Sequence, residues 1–158
     1  MRRTDREVND SARIQEILNR CTHCRLGLYD GEEVYIVPMN FGWEETDGGY
    51  TLWFHCAGAG RKLDILRQNP KAGFQMDTDF QLRPAENPCD FSAGFASIVG
   101  TGTVEFVSEP EEKRKGLAAI MNHTAGVRRE WAFPDPSVNR VTVLKMGVEK
   151  ISCKATGG

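Results

Sequence analysis

No apolar run in this sequence approaches the roughly 20 residues that a membrane-crossing helix needs, so no membrane partner is expected. No excess of positive charge is present either. Lys and Arg number 20 against 22 Asp and Glu, a net charge of −2, whereas affinity for a phosphate backbone requires a cationic face. Nucleic acid is therefore not an expected partner. Repeats and low-complexity tracts are missing. The opening Met1-Arg2-Arg3-Thr4-Asp5-Arg6-Glu7 is charged and no apolar segment follows it, so no secretory signal is read. The five cysteines, Cys21, Cys24, Cys56, Cys89 and Cys153, are an odd number and lack framework spacing. Free thiols in a reducing compartment follow, and the cytoplasm is the expected location. What the chain does have is ordinary globular composition, 40% hydrophobic and 27% charged, which argues against disorder. Its 158 residues fit a single domain over 1–158, and a chain of this size hides roughly 70% of its unfolded surface.

Local patterns divide the chain. Ile14, Ile17 and Leu18 fall at helical spacing between about Asn9 and Arg20, with Asp10 or Ser11 as cap. Arg25–Tyr29 and Val34–Phe41 read as strands flanking Asp30-Gly31, a hairpin signal because the turn needs positive φ. Pro38 lacks an N–H for a ladder, so its strand is an edge or is bulged there. A strand over Tyr50–Cys56 follows the turn at Asp47-Gly48-Gly49. Gly58-Ala59-Gly60 leads into a helix, Arg61–Gln68, that Asn69-Pro70 stops. Ala72–Met76 reads as a strand, Thr78–Ser92 as a loop, and Phe95–Val107 as a long strand interrupted by Gly100 and Gly102. Ser108 and Glu111 have capping-box spacing for a helix ending near His123. A polar connection, Thr124–Asn139, precedes a final strand pair, Val141–Leu144 and Val148–Cys153. Six or seven strands and about three short helices, joined mostly by tight turns, exclude a doubly wound parallel sheet. The expectation is a mainly antiparallel α+β barrel or sandwich.

Three stretches have chemical potential. Phe54-His55-Cys56-Ala57-Gly58-Ala59-Gly60-Arg61-Lys62 is a strand end, a glycine loop and a helix start with two cations. Cations in a first turn oppose the helix dipole at a cost of about 0.3–1 kcal/mol each unless an anion neutralises them. A bound phosphate is one explanation, and a solvated glycine turn with surface cations is the other. Tyr35-Ile36-Val37-Pro38-Met39-Asn40-Phe41 exposes main-chain groups beside apolar walls, which suits a flat heterocycle; taken alone, an ordinary edge strand packed on the core is the simpler reading. Ser97, close to Gly100 and Gly102, is either a ligand donor or part of a bulge that curves the sheet.

Taken together these stretches resemble a family. The charged opening and first helix, Arg25-Leu26-Gly27, Val34 to Gly42, Phe54 to Ala57 with Gly60-Arg61-Lys62-Leu63-Asp64, Asn69-Pro70, and Ser97 to Gly102 are similar, in order, to the pyridoxamine 5′-phosphate oxidase-related flavoproteins. The nearest branch includes the 5-nitroimidazole-resistance proteins. The resemblance implies an FMN-binding split β-barrel, with FAD the less favoured cofactor, and a homodimer holding flavin at the subunit interface. Val37, Pro38, Met39 and Asn40 would run along the flavin ring. His55 and Ala57 would sit near the ring or ribityl chain. Arg61 and Lys62 would hold the phosphate, Ser97 would bond the flavin from the neighbouring strand, and the partner's Trp131 region would close the pocket. One departure stands out: the ending Ser152-Cys153-Lys154-Ala155-Thr156-Gly157-Gly158 has no arginine for a substrate phosphate. The vitamin B6 reaction is accordingly not expected.

Other readings compete. Cys21-Thr22-His23-Cys24 has the Cys-x-x-Cys form, but a zinc site wants a second pair and a thioredoxin-like motif wants a βαβ setting, so no metal is expected. His55 is a buried, hydrogen-bonded histidine or a contact to flavin or substrate; the adjacent glycine loop favours contact, and His55 is the one candidate catalytic residue. His123 near a helix end reads as a dipole contact. An axial haem role, known in some split-barrel relatives, is the weaker reading for either histidine. The leading function is an FMN-dependent oxidoreductase reducing small electrophilic or nitroaromatic compounds such as nitroimidazoles. A flavin-binding carrier or sensor without turnover is the alternative.

Overall fold

A computed structural model describes residues 4–156; the charged opening Met1–Arg3 and the closing Gly157-Gly158 lie outside the described residues. After a short 3-10 turn, β1 (Glu7–Val8) leads into α1 (Ser11–Arg20). The Asp10 carboxylate caps α1 by accepting from the Arg13 N–H at 3.0 Å, and Ile14, Ile17 and Leu18 are its buried stripe. β2 (Cys24–Tyr29) and β3 (Val34–Met39) form the expected hairpin. Asp30 anchors the turn, accepting from the N–H groups of Glu32 and Glu33 at 2.9 and 2.7 Å.

β3 ends at Met39, and Phe41 already belongs to a separate strand, β4 (Phe41–Thr46), which pairs with β5 (Gly49–Cys56). The single strand expected over Val34–Phe41 is thus two, broken at Asn40. α2 (Arg61–Gln68) then precedes β6 (Lys71–Arg83) and β7 (Ser92–Val107). The expected Thr78–Ser92 loop is shorter than anticipated. After a register shift between Thr78 and Gln81, β6 and β7 stay paired as far as Arg83 and Ser92. The alternation through Phe80, Gln81 and Leu82 sustains the strand until Pro84 removes a donor. α3 (Pro110–Ala125) starts one residue later than its capping box implied. Glu109 occupies the N-cap and makes no side-chain cap bond, and Gly126 closes the helix at φ 66°. The connection read as irregular contains α4 (Asp135–Arg140), with prolines at its start and Val138 buried. The two final strands are one, β8 (Thr142–Ala155), whose irregularity lies opposite Thr101 and Gly102.

All ladders are antiparallel, and the order across the sheet is β3-β2-β6-β7-β8-β5-β4, with β1 added on β8. This is a mainly antiparallel α+β split barrel. Its two outermost strands, β3 and β4, are consecutive in the chain, yet no ladder joins them. Among the described residues there are four α-helices where about three were expected, and none is long and apolar enough to cross a membrane.

The inner face buries Leu26, Phe41, Phe54, Phe74, Met76, Ile98 and Leu144 with α1 and α2. A second, smaller cluster of Trp53, Val107, Ile120 and Val143 lies under α3. Two glycines allow α3 this close. A Cβ on Gly42 would fall 2.3 Å from the Ala119 carbonyl carbon, and one on Gly116 would fall 2.5 Å from the Trp53 ring. The Gly42 obstacle is backbone and cannot swing aside. Gly42→Val is therefore expected to cost the upper part of the roughly 1–3 kcal/mol typical of overpacking, lowering Tm by several degrees. An unchanged melting curve would mean that α3 is not seated on β4 in this way.

Candidate functional site

The start of α2 meets the β2–β3 hairpin. The Arg61 guanidinium donates from Nη2 to Asp30 Oδ2 and Glu33 Oε2, both at 3.1 Å. It also stacks over the Tyr35 ring at 4.9 Å. Asp30 is drawn down to about 2 by the Glu33 and Glu32 N–H groups, with Arg61 adding to the effect. Arg61 is thereby fixed in direction while half its side chain stays exposed. This is how the fold answers the dipole conflict read from the sequence: two acids of a neighbouring turn sit against one of the two cations. Lys62 has no such partner among the described residues. It is half-buried and lies near Cys56, where its charge opposes the rise that burial imposes on the thiol.

Gly60 is the N-cap of α2, with φ 142°, and has no side chain to cap with. Its carbonyl accepts from the N–H groups of Leu63 and Asp64. The N–H groups of Arg61 and Lys62, in the first turn, have no acceptor among the described residues. A Cβ on Gly58 or Gly60 would meet nothing within 4 Å, so the turn opens on free space. Ala57 is exposed in the same turn.

β3 and the end of β5 lie beside this turn. Phe41 pairs with Phe54, so Asn40 and His55 are the next residues out from that pair, and both are exposed. Along β3, Pro38 is exposed, Val37 half-buried and Met39 buried in the core. Met39 thus offers a ligand its main chain only. Pro38 pairs with Arg25 on the sheet's outermost strand, where an edge proline was expected. Hence the structure brings β3, His55, Ala57, Arg61 and Lys62 to one corner.

Ser97 stands apart. It lies on β7 between Asp77 and Lys154, lining a cavity of about 570 Å3 with Glu7, Val99, Ser152 and Lys154. β2 and β6 separate β7 from β3, a distance of roughly 14 Å at sheet spacing. The expectation that Ser97 acts from the neighbouring strand does not hold within one subunit.

Three features were not read from the sequence. The first is the acid pair on Arg61, Asp30 and Glu33. The second is a set of exposed apolar side chains on β3, β2 and β7, where Val34, Ile36, Val99 and Tyr29 are 69%, 66%, 53% and 48% exposed, with the polar Arg25, Gln75 and Asp77 between β3 and β7. The third is the bridge that His123 makes to Cys21 and Phe41. The histidine's Nε2 donates to the Cys21 carbonyl at 2.8 Å and its ring packs on Phe41 at 4.2 Å, while burial lowers its pKa. His123 is thus a structural bridge favouring the neutral ring, where a dipole contact was expected. Burial pushes the Cys21 thiol up to about 12 and Cys153 up to about 11, and raises Cys24 as well, so these thiols are poor nucleophiles. Among the described residues no group of three or more His, Cys, Asp and Glu side chains is placed to hold a metal ion.

Comparison with known proteins adds to this geometry. The family model described as pyridoxamine 5′-phosphate oxidase matches residues 10–155. A crystal structure from Bacteroides thetaiotaomicron, of a protein assigned to 5-nitroimidazole antibiotic resistance, is 32% identical. That likeness covers 94% of this chain and 85% of that one, with a TM-score of 0.79. A flavocytochrome from Azotobacter vinelandii superposes with a TM-score of 0.80 at 19% identity, over 100% of this chain and 72% of its own. A protein from Mycobacterium smegmatis that binds FAD and haem gives 0.79 at 19%, over 97% and 74%. The last two likenesses speak to the fold. The search of curated proteins gives no match.

Proposed function

The chain belongs to the pyridoxamine 5′-phosphate oxidase family, and on that premise we propose that it is an FMN-dependent oxidoreductase with its flavin in the crevice between β3, the end of β5 and the start of α2. One observation carries the reading: the turn before α2 combines two unbonded backbone N–H groups, glycines that open on free space and a half-buried Lys62 without an ion pair among the described residues. That donor set fits a phosphate monoester. Arg61, already aimed by Asp30, Glu33 and Tyr35, has its remaining N–H groups for the same anion. The β3 edge from Val37 to Asn40 gives main-chain groups to the edge of a flat ring.

When bound, the flavin supplies two-electron chemistry between a donor such as a reduced nicotinamide and an electrophilic acceptor. The protein's part is to orient and to exclude water. His55, exposed at the β5 end, is proposed to touch the ring or substrate. The favoured substrates are small nitroaromatics such as nitroimidazoles; support comes from the Bacteroides thetaiotaomicron relative. We propose that a second copy covers the exposed apolar side chains of Val34, Ile36, Tyr29 and Val99, making a homodimer with the flavin at its interface. The cytoplasm is the proposed setting.

Replacing Arg61 and Lys62 together by alanine is expected to weaken FMN binding by about 100-fold, two charge-assisted contacts at roughly 1.5 kcal/mol each. Riboflavin binding should change little. Equal losses for both ligands would remove the phosphate from this turn. Flavin-loaded protein is expected to scatter light as a dimer, and a flavin-loaded monomer would exclude the interface site. Stopped-flow reduction by a nicotinamide, then reoxidation by a nitroimidazole, is expected to show turnover. His55→Gln should slow it by roughly 100-fold with FMN retained. Bound flavin inert to every donor would mean a carrier or sensor.

A further inference from the structure

On the α3 side of the molecule lies a cavity of about 660 Å3, walled by Asn19 at the end of α1, Trp43 and Glu44 of β4, and α3 with the turn after it. None of its wall residues belongs to the flavin crevice. Two of its polar groups have a fixed direction. An indole N–H is only a donor, so a carboxamide bonded to it must present oxygen. Trp43 Nε1 donates to Asn19 Oδ1 at 3.2 Å, and Trp131 Nε1 donates to Asn122 Oδ1 at 2.8 Å. The Arg129 backbone N–H adds a second bond to Asn122 Oδ1 at 3.2 Å. Each amide therefore turns its NH2 away from its indole, and neither NH2 has an acceptor among the described residues.

Charge in the cavity is unbalanced. Glu44 is its only acid and is already paired with Lys115 at 3.0 Å. Arg128 has no ion pair among the described residues, and the wall is left with one uncompensated positive charge. Ala118, Ala119, Val127 and Trp43 supply apolar wall. Two oriented amide donors, a free guanidinium and an apolar wall match a monoanion with two planar oxygens and a hydrocarbon body.

We propose that this cavity is a second small-molecule site that takes a small organic carboxylate. Its oxygens are held by the Asn19 and Asn122 NH2 groups and by Arg128, and its apolar body rests against Ala118, Ala119 and the Trp43 ring.

Benzoate serves as the probe, titrated into the purified full-length protein and followed by two-dimensional 15N–1H NMR. The side-chain NH2 signals of Asn19 and Asn122 and the Trp43 indole signal are expected to shift together at millimolar benzoate. Benzyl alcohol, which lacks the charge, should leave them nearly unmoved. Arg128→Glu, an exposed substitution, is expected to weaken benzoate by about tenfold or more, the worth of one charge-assisted contact. Asn19→Leu gives a second test that leaves the Asn122 bonds to Arg129 and Trp131 in place. Silence of those three signals at millimolar benzoate would overturn the proposal. So would undiminished affinity in both variants, or shifts confined to the Gly58–Lys62 amides.

Discussion

The whole architecture turns on one residue. Asn40 alone separates β3 from β4, and these are the two ends of a path seven strands wide. Laid flat, the outermost strands would be roughly 29 Å apart at sheet spacing. A single linking residue spans only about 7 Å. The sheet must therefore roll until its ends nearly touch, although no ladder seals the seam. That rolling carries the unpaired side of β3 to the end of β5, and the glycine turn leading to α2 is there already. On the other side of the seam, Gly42 lets α3 lie close on β4 and cover Trp53.

Electrostatics at the α2 start follow from this placement. Arg61 and Lys62 sit where the helix dipole disfavours cations. The hairpin turn carries Asp30 and Glu33 to Arg61 and sets Tyr35 under it, so one cation is compensated and aimed. Lys62 and the free first-turn N–H groups have no partner among the described residues. The corner thus has a directed arginine, a lysine without an ion pair and free first-turn N–H groups together, an arrangement suited to holding a phosphorylated ligand by its tail while its flat part lies on β3. The carboxamide cavity beneath α3 uses a different device. Indole donors there set amide direction, and the excess charge is one guanidinium.

Local signals in the sequence were reliable where local physics decides. Asp10 caps α1, Asp30-Gly31 makes the hairpin, Pro38 lies on an outermost strand, and Asn69-Pro70 ends α2. Misreadings arose where the deciding contact is distant in sequence. β4 was hidden because Phe41 continues the apolar run of β3, and Asn40 by itself is no turn signature. The gap between the two expected final strands does not exist, because Met146 and Gly147 both pair in register with β5 and β7, so β8 runs through them. Gln81, Leu82 and Arg83 extend β6 because β7 is there to pair with them. α4 begins among prolines, which read as breakers until its first turn is seen to need no N–H from them. For the site, the outermost position of β3 and the open glycine turn before α2 were legible in the sequence. The strand order separating Ser97 from β3 and the acid pair on Arg61 were not, since neither leaves a local pattern.

The most direct measurement is a residue-resolved map of FMN on the protein: 15N–1H spectra of the apoprotein recorded as FMN is added. The largest shifts are expected in the Gly58–Lys62 amides, with accompanying shifts at Asn40 and His55. A map that leaves Gly58–Lys62 unmoved while FMN binds elsewhere, or one showing no binding, would contradict the claim that this corner grips a flavin by its phosphate.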